Sequence, residues 1–422
     1  MFALIDCNSF FCSVEKAFCP GLQGKPVCVA GPNDGNIVAL TPEAKAIGLR
    51  RGDPVFKVRD IINTNGVSVF SSNMVLYASM SRRIVSILRK SIAQVENYSI
   101  DESFCNLMGY ENHVDLEEMM RCVAGKIKLY TDIPVSVGIA STKTLAKIGS
   151  KFAKQYKGYH DVCMIDNDEK RRKALELTEL GDVWGIGRHT LDKLRYLGIG
   201  TPLDFADKSE AWVKHNLTKP GVQTWLELNG SPCIDTHEVI RNQSICTSRS
   251  FGHMVDDFPS LKSAVVAFAV SCANKLREQG AIGRVVTVFV CTNRFREDLE
   301  QYRNSASVSL VTPTSDTIEL TQAAIRALGM VFRSGVWYKK TGVVISDIQS
   351  DFPVQMDLFD PIHNRSQRSE LMKVVDNMNQ KYGLNIIKLC AEGLVEQSWR
   401  VKCEKRTPNY LTDINDLMVV KI

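Results

Sequence analysis

Phe2-Ala3-Leu4-Ile5-Asp6-Cys7-Asn8-Ser9-Phe10-Phe11 opens the chain, and Ser99-Ile100-Asp101-Glu102-Ser103 lies between two further apolar runs. The first stretch reads as a buried strand, Met1–Asp6, that ends on a carboxylate. A helix follows through Phe10, Phe11, Val14 and Phe18, with Asn8 or Ser9 as N-cap. The second stretch is the turn between strands Val95–Ile100 and Ser103–Leu107. Adjacent residues on a straight strand point to opposite faces, so Asp101 and Glu102 serve one site only where the chain turns or bulges. Three carboxylates from two strand ends suit Mg²⁺, a hard cation that prefers oxygen. The ordinary alternative is a set of N-caps and solvated turn acids.

Outward from these stretches the pattern predicts strand Val67–Ser71, helix Met74–Lys90, the two strands above, helix Leu116–Tyr130 and strand Val135–Ala140. A further helix covers Thr144–Tyr156. With the first strand this makes a βαββαβ sheet with helices on one face. The order recurs later as strand Ser244–Ser250, helix Leu261–Arg277, strands Val285–Thr292 and Ala306–Val311, helix Thr317–Arg333 and strand Gly342–Ile348. The fold class is therefore α+β and multidomain. Between strands Val27–Ala30 and Ile37–Leu40, Asn33-Asp34-Gly35 is a hairpin signal. Thr41-Pro42-Glu43 and Asp53-Pro54 each start a short helix. A helical block spans Asp168–Gly230, and the polar region past Asp351 holds one clear helix near Ser369–Gln380.

The chain has 422 residues, 44% apolar and 23% charged, which excludes disorder, collagen and coiled coil as whole-chain readings. The apolar stretch Ala264–Ala273 is too short to span a membrane, so none is expected as a partner. The N-terminus lacks a basic segment and does not read as a signal peptide. Thirteen cysteines without a C-x-x-C pair point to reduced thiols and a cytoplasmic location. A net charge of +5 permits a nucleic-acid partner without requiring one.

The opening Asp6-Cys7-Asn8-Ser9-Phe10-Phe11, Ser99-Ile100-Asp101-Glu102, Val137-Gly138-Ile139-Ala140 with its Lys-rich helix, and Gly185-Ile186-Gly187 together resemble the Y-family translesion DNA polymerases. The match runs to about residue 350, and the tail resembles that of the UmuC-like branch. The resemblance implies a right-hand polymerase: a βαββαβ palm (1–18 and 67–166), small fingers (19–66), a helical thumb with a helix-hairpin-helix (167–236) and a second βαββαβ domain, the little finger (239–350). It implies Asp6, Asp101 and Glu102 as catalytic ligands of two Mg²⁺ ions, joined by the Cys7 backbone carbonyl. Phe11 matches the aromatic gate that excludes a 2′-hydroxyl, with Phe10 beside it. Thr41, Lys45 and Lys154 complete the nucleotide-binding set. Two departures stand out. Asn8 replaces an aspartate found in many relatives. Pro42 and Lys45 replace a Tyr and an Arg, and lysine is a point charge without the bidentate fork.

Lys143, Lys147, Lys151 and Lys154 fall along one helix face, which is either a solvated stripe or, for Lys143 and Lys147, a contact to primer or template phosphates. Gly185 and Gly187 allow backbone amides to approach a phosphate at a helix N-terminus. Arg249 and Arg303 belong to a rim of basic residues suited to DNA. Gln355-Met356-Asp357-Leu358-Phe359, in segment 351–360, resembles a sliding-clamp-binding peptide through Gln355, Leu358 and Phe359. The tail, 361–422, with Thr407-Pro408-Asn409-Tyr410, implies a UmuD-like dimer and a recombinase filament as partners, or else a cap packed on the protein itself. The expected activity is error-prone addition of dNTPs to primer–template DNA opposite damage, in SOS mutagenesis. The competing readings are a non-catalytic DNA-binding accessory protein on the clamp and a nucleotide cyclase.

Overall fold

The computed structural model describes residues 1–235, 242–351, 360, 362, 364–383, 386–393 and 399–418. It divides into two units, the first built from Met1–Gly31, Gly35–Val239 and Lys405–Ile422, the second from Pro32–Asp34 and Ile240–Glu404.

The first unit begins with β1 (Phe2–Cys7) and α1 (Phe10–Phe18). Ser9 occupies the N-cap in a left-handed conformation, and its side chain makes no capping bond. β2 (Val27–Ala30), β3 (Ile37–Leu40), α2 (Pro42–Ala46) and α3 (Arg59–Thr64) follow, and then β4 (Ser68–Ser71). β4 pairs parallel with β2 in a small sheet ordered β3-β2-β4. It does not join the larger sheet that the sequence pattern assigned it to. Local periodicity identifies a strand but not its partner.

The larger sheet is framed by α4 (Met74–Ser91), β5 (Gln94–Asn97), β6 (Glu102–Asn106), α5 (Leu116–Thr131), β7 (Val135–Ala140), α6 (Lys143–Gln155) and β8 (Val162–Ile165). Its order is β5-β6-β1-β7-β8, with β8 parallel to β7 and the other neighbours antiparallel. Alternation along β1 sends Ala3 and Ile5 into a core with α4 and α5, and Leu4 into another with α6. Helices therefore cover both faces, because β8 and α6 extend the expected one-sided arrangement. The helices α7 (Asp168–Leu177), α8 (Arg188–Tyr196), α9 (Pro202–Ala206), α10 (Glu210–Asn216) and α11 (Lys219–Leu228) complete this part.

The second unit contains β9 (Ser244–Val255), α12 (Phe258–Glu278), β10 (Ala281–Thr292), β11 (Arg303–Thr314), α13 (Thr317–Val331) and β12 (Tyr338–Ser350). Element order repeats that of the first unit, but the antiparallel sheet runs β11-β10-β12-β9. In the first unit the corresponding four strands run second, third, first, fourth; here they run third, second, fourth, first. The repeat is thus one of element order, not of sheet topology. α12 and α13 pack on one face, while Ser305, Ser307 and Ser309 of β11 lie exposed. α14 (Arg365–Tyr382) is held by ion pairs Arg277–Asp376, Arg365–Glu319 and Arg368–Asp316.

Candidate active site

Antiparallel pairing places Asp6 of β1 directly opposite Glu102 of β6. Cross-strand partners share a face, so both carboxylates leave the sheet on the same side. The turn before β6 is pinned by Ser99. Its hydroxyl donates to Asp101 Oδ1 at 2.5 Å and accepts from the amides of Asp101 at 3.2 Å and Glu102 at 3.1 Å. The Cys7 amide donates to the Asp101 carbonyl at 2.9 Å, which ties the turn to the end of β1.

α6 lies over that face. A Cβ on Gly138 would fall 2.0 Å from the Ala146 carbonyl oxygen, so only glycine lets the helix backbone sit this close to β7. At its N-terminus the Thr142 hydroxyl accepts from the Leu145 amide, and the Glu227 carboxylate accepts from the Thr144 amide. The lysine stripe along α6 is paired throughout. Lys143 bonds Glu96 at 2.8 Å, Lys147 bonds Glu102 at 3.0 Å, Lys151 pairs with Asp182, and Lys154 reaches Asp6 at 3.3 Å. Lys147 also sits over the rings of Tyr98 and Trp184, 4.7 and 5.3 Å from their centroids. Carboxylates from separate elements thus face both Lys143 and Lys147.

A cavity of about 770 Å³ opens at this point. Asp6, Asp101 and Glu102 line it together with Lys45, Arg50, Arg51 and Lys154. Phe10 and Phe11 contribute an apolar wall. Phe10 is otherwise core, whereas Phe11 is half-buried and stacks on Tyr77 with centroids 4.5 Å apart. Thr41 is not brought to the cavity. It is buried, and its hydroxyl accepts from the amides of Val27 and Ala44. Arg50 and Arg51 carried no spacing signal in the sequence; only the fold of the small sheet brings them here.

Burial pushes the Asp6 carboxyl above its ordinary pKa, against the pull of Lys154, and the negative neighbours Glu102 and Asp101 add to the rise. Burial, then Asp6, pushes the Cys7 thiol well up, which leaves it inert. The carboxylate oxygens are the donor type that Mg²⁺ takes. Among the described residues no three such groups are gathered around one point; Ser99, Lys147 and Lys154 hold their oxygens instead.

Of the other sequence-derived candidates, Gly185 has φ 94° and a Cβ there would strike the Thr224 hydroxyl at 2.3 Å, so its glycine is dictated by the fold. Gly187 is the N-cap of α8, with open space around it. In the second unit Arg249 and Arg303 are both exposed on strands of the sheet. Gln355, Leu358 and Phe359 lie outside the described residues. No described helix is long and apolar enough to cross a membrane.

Residues 5–151 match the impB/mucB/samB family, residues 242–358 match that family's C-terminal domain, and residues 369–420 match a domain of unknown function. The chain is 39% identical to protein UmuC of Salmonella typhimurium and 38% identical to protein ImpB of the same species, each alignment spanning 100% of both chains. DNA polymerase IV 2 of Bacillus subtilis is 26% identical over 90% of this chain and 91% of its own. A solved Y-family DNA polymerase chimera of Dbh and Dpo4 shares the fold, with TM-score 0.63 at 20% identity, covering 83% of this chain and 100% of that one. With that identity maintained from end to end, the chain belongs to the impB/mucB/samB family and is a UmuC-like DNA polymerase of the Y family.

Proposed function

We propose that the cavity joins a deoxynucleotide to a primer end opposite damaged template by a phosphoryl transfer that uses two Mg²⁺ ions, and that this activity serves SOS mutagenesis. The observation that carries this reading is one cavity lined by three carboxylates and four cationic side chains. Asp6, Asp101 and Glu102, with the Cys7 carbonyl, would hold the metal ions. When bound, two such ions lower the pKa of the attacking hydroxyl and stabilise the leaving pyrophosphate. Lys45, Arg50, Arg51 and Lys154 supply positive charge for a triphosphate, and the arginines offer the planar fork that Lys45 lacks. The Phe11 ring, half-exposed on the wall, stands as the barrier to a 2′-hydroxyl. In this reading the five-stranded sheet is the palm, the β3-β2-β4 sheet the fingers, the helices α7–α11 the thumb and the second unit the little finger.

The same reading gives Gly185 and Gly187 to backbone contacts with DNA phosphates, and Arg249 and Arg303 to the duplex. It makes 355–359 a tether to the sliding clamp, and it makes a UmuD-like dimer and a recombinase filament partners of the tail. The enzyme works on the bacterial nucleoid, in the cytoplasm. Primer extension with Mg²⁺ and dNTPs on intact and abasic templates tests the proposal. It requires template-dependent product on both, and product on neither would refute it. A cyclase would instead consume nucleotide without template or primer.

A further inference from the structure

The Phe11 ring rests on Tyr77, with centroids 4.5 Å apart and planes inclined by 15°. Tyr77 is fully buried, and its hydroxyl donates to Glu15 Oε1 at 2.6 Å. Glu15 is itself fully buried, one helical turn after Phe11 on α1. The same Oε1 accepts a second bond, at 3.3 Å, from the Thr407 hydroxyl of the C-terminal segment. Burial pushes the Glu15 carboxyl above its ordinary pKa, while the Tyr77 and Thr407 bonds oppose the rise.

Thr407 is itself held firmly. Its carbonyl accepts from Asn73 Nδ2 at 2.9 Å, and Asn73 Oδ1 accepts from the Leu76 amide at the start of α4, the helix that carries Tyr77. Upstream, Ser71 and Lys405 exchange bonds: the Ser71 amide donates to the Lys405 carbonyl at 3.0 Å, and the Lys405 amide to the Ser71 hydroxyl at 2.9 Å. Arg406 forms a parallel bridge with Ser71 beside β4. Downstream, Tyr410 stacks on Phe18 at the end of α1, with centroids 5.0 Å apart. The segment therefore fixes α1 at Glu15 and at Phe18, and it meets α4 at its first turn.

We propose that the C-terminal segment Lys405–Tyr410 sets sugar selection: the Thr407–Glu15–Tyr77 bonds make Tyr77 a positioning residue that fixes the Phe11 ring from behind. The proposal rests on the reading of Phe11 as the sugar gate. A supporting ring held by packing alone keeps some freedom to shift, and a gate that can yield admits an added hydroxyl more readily. Anchoring the supporting ring through its oxygen removes this freedom. A buried carboxylate with two donors is an expensive anchor that plain packing would not require.

The test measures, on the full-length chain, the ratio of kcat/KM for dNTP to that for the matching rNTP, together with the thermal midpoint. Thr407→Val and Tyr77→Phe each keep the shape and remove one donor, and each should lower the ratio to roughly a tenth, the loss of about one hydrogen bond. Thr407→Val should leave dNTP insertion unchanged. Thr407→Ser and Glu15→Gln keep the bonds to Glu15 or its amide and should restore the ratio. Phe11→Ala in the same assay reports on the gate. A collapsed ratio for Phe11→Ala beside unchanged ratios for Thr407→Val and Tyr77→Phe would overturn the positioning role and leave the gate intact. An unchanged ratio for Phe11→Ala would refute the gate reading and this inference with it. If Tyr77→Phe fails to fold, Thr407→Val decides, and a lowered midpoint with an unchanged ratio would mean a structural role alone.

Discussion

Asp6 and Glu102 face each other across the β1–β6 ladder, and each is met from above by a lysine of α6. The sheet sets the spacing of the two carboxylates, and the helix supplies the positive charges that face them. Their chemistry therefore depends on how closely α6 approaches the sheet, which is decided at Gly138.

Gly138→Ala should disable the enzyme without removing any polar side chain. The added methyl would meet the Ala146 carbonyl at 2.0 Å and the Ser150 amide at 2.1 Å, so α6 must lift. We expect a loss of about 3 kcal/mol in chemical denaturation, at the upper end for overpacking. Primer extension should fall with it, because Lys147 and Lys154 move away from Glu102 and Asp6.

Phe11→Ala should raise ribonucleotide insertion by roughly tenfold or more, since it opens the wall where the sugar would lie. Affinity for primer–template DNA, read by fluorescence anisotropy, should stay nearly unchanged. Unaltered discrimination would place the gate elsewhere.

Arg365→Met should loosen α14 from the second unit. It leaves Glu319 and Asp360 without their guanidinium, at a cost of about 3 kcal/mol near neutral pH. The Arg365 hydrogen bond, with those from the Thr312 hydroxyl and the Ile362 amide, holds the Asp360 carboxyl well below the usual carboxylate range. A depressed folded pKa contributes stability that is present above the unfolded value and is lost as pH falls through the folded one. Burial, by contrast, raises the Glu319 carboxyl, so the Asp360 contribution is the one that acid removes. Denaturation curves of wild type and variant should differ most near pH 7, begin to approach each other below about pH 4, and converge only as the pH falls through the depressed folded value.

Leu358→Ala combined with Phe359→Ala should abolish sliding-clamp capture and the clamp's stimulation of synthesis, while clamp-free extension persists. Burying two large side chains contributes about 3–6 kcal/mol before ordering costs, enough for a releasable tether. Equal loss of clamp-free activity would assign the pair a folding role.

Much of this architecture is legible in the sequence. The strand–helix opening at Asp6, the hairpin at Asp101 and the order of elements in both units follow from local periodicity and turn chemistry. What escaped is non-local. β8 is a four-residue run, Val162–Ile165, that periodicity alone does not distinguish from a buried helical fragment. The strands of the second unit extend further than their apolar runs, because serines and charged residues alternate along the open face. Spacing put four lysines on one side of α6 but not the carboxylates that meet them, which come from β1, β5, β6 and the turn at Asp182. The packing of Thr407 against Glu15 joins residues at opposite ends of the chain, which no window of sequence reveals.

Primer extension by Asp101→Ala combined with Glu102→Ala, beside wild type, on an intact and an abasic template with Mg²⁺ and dNTPs, bears most directly on the central claim. Both changes remove a partly exposed carboxylate at a turn, so the variant should fold, bind primer–template DNA and yield no extended product on either template. Extension that survives the double substitution would contradict the assignment of these carboxylates to catalysis.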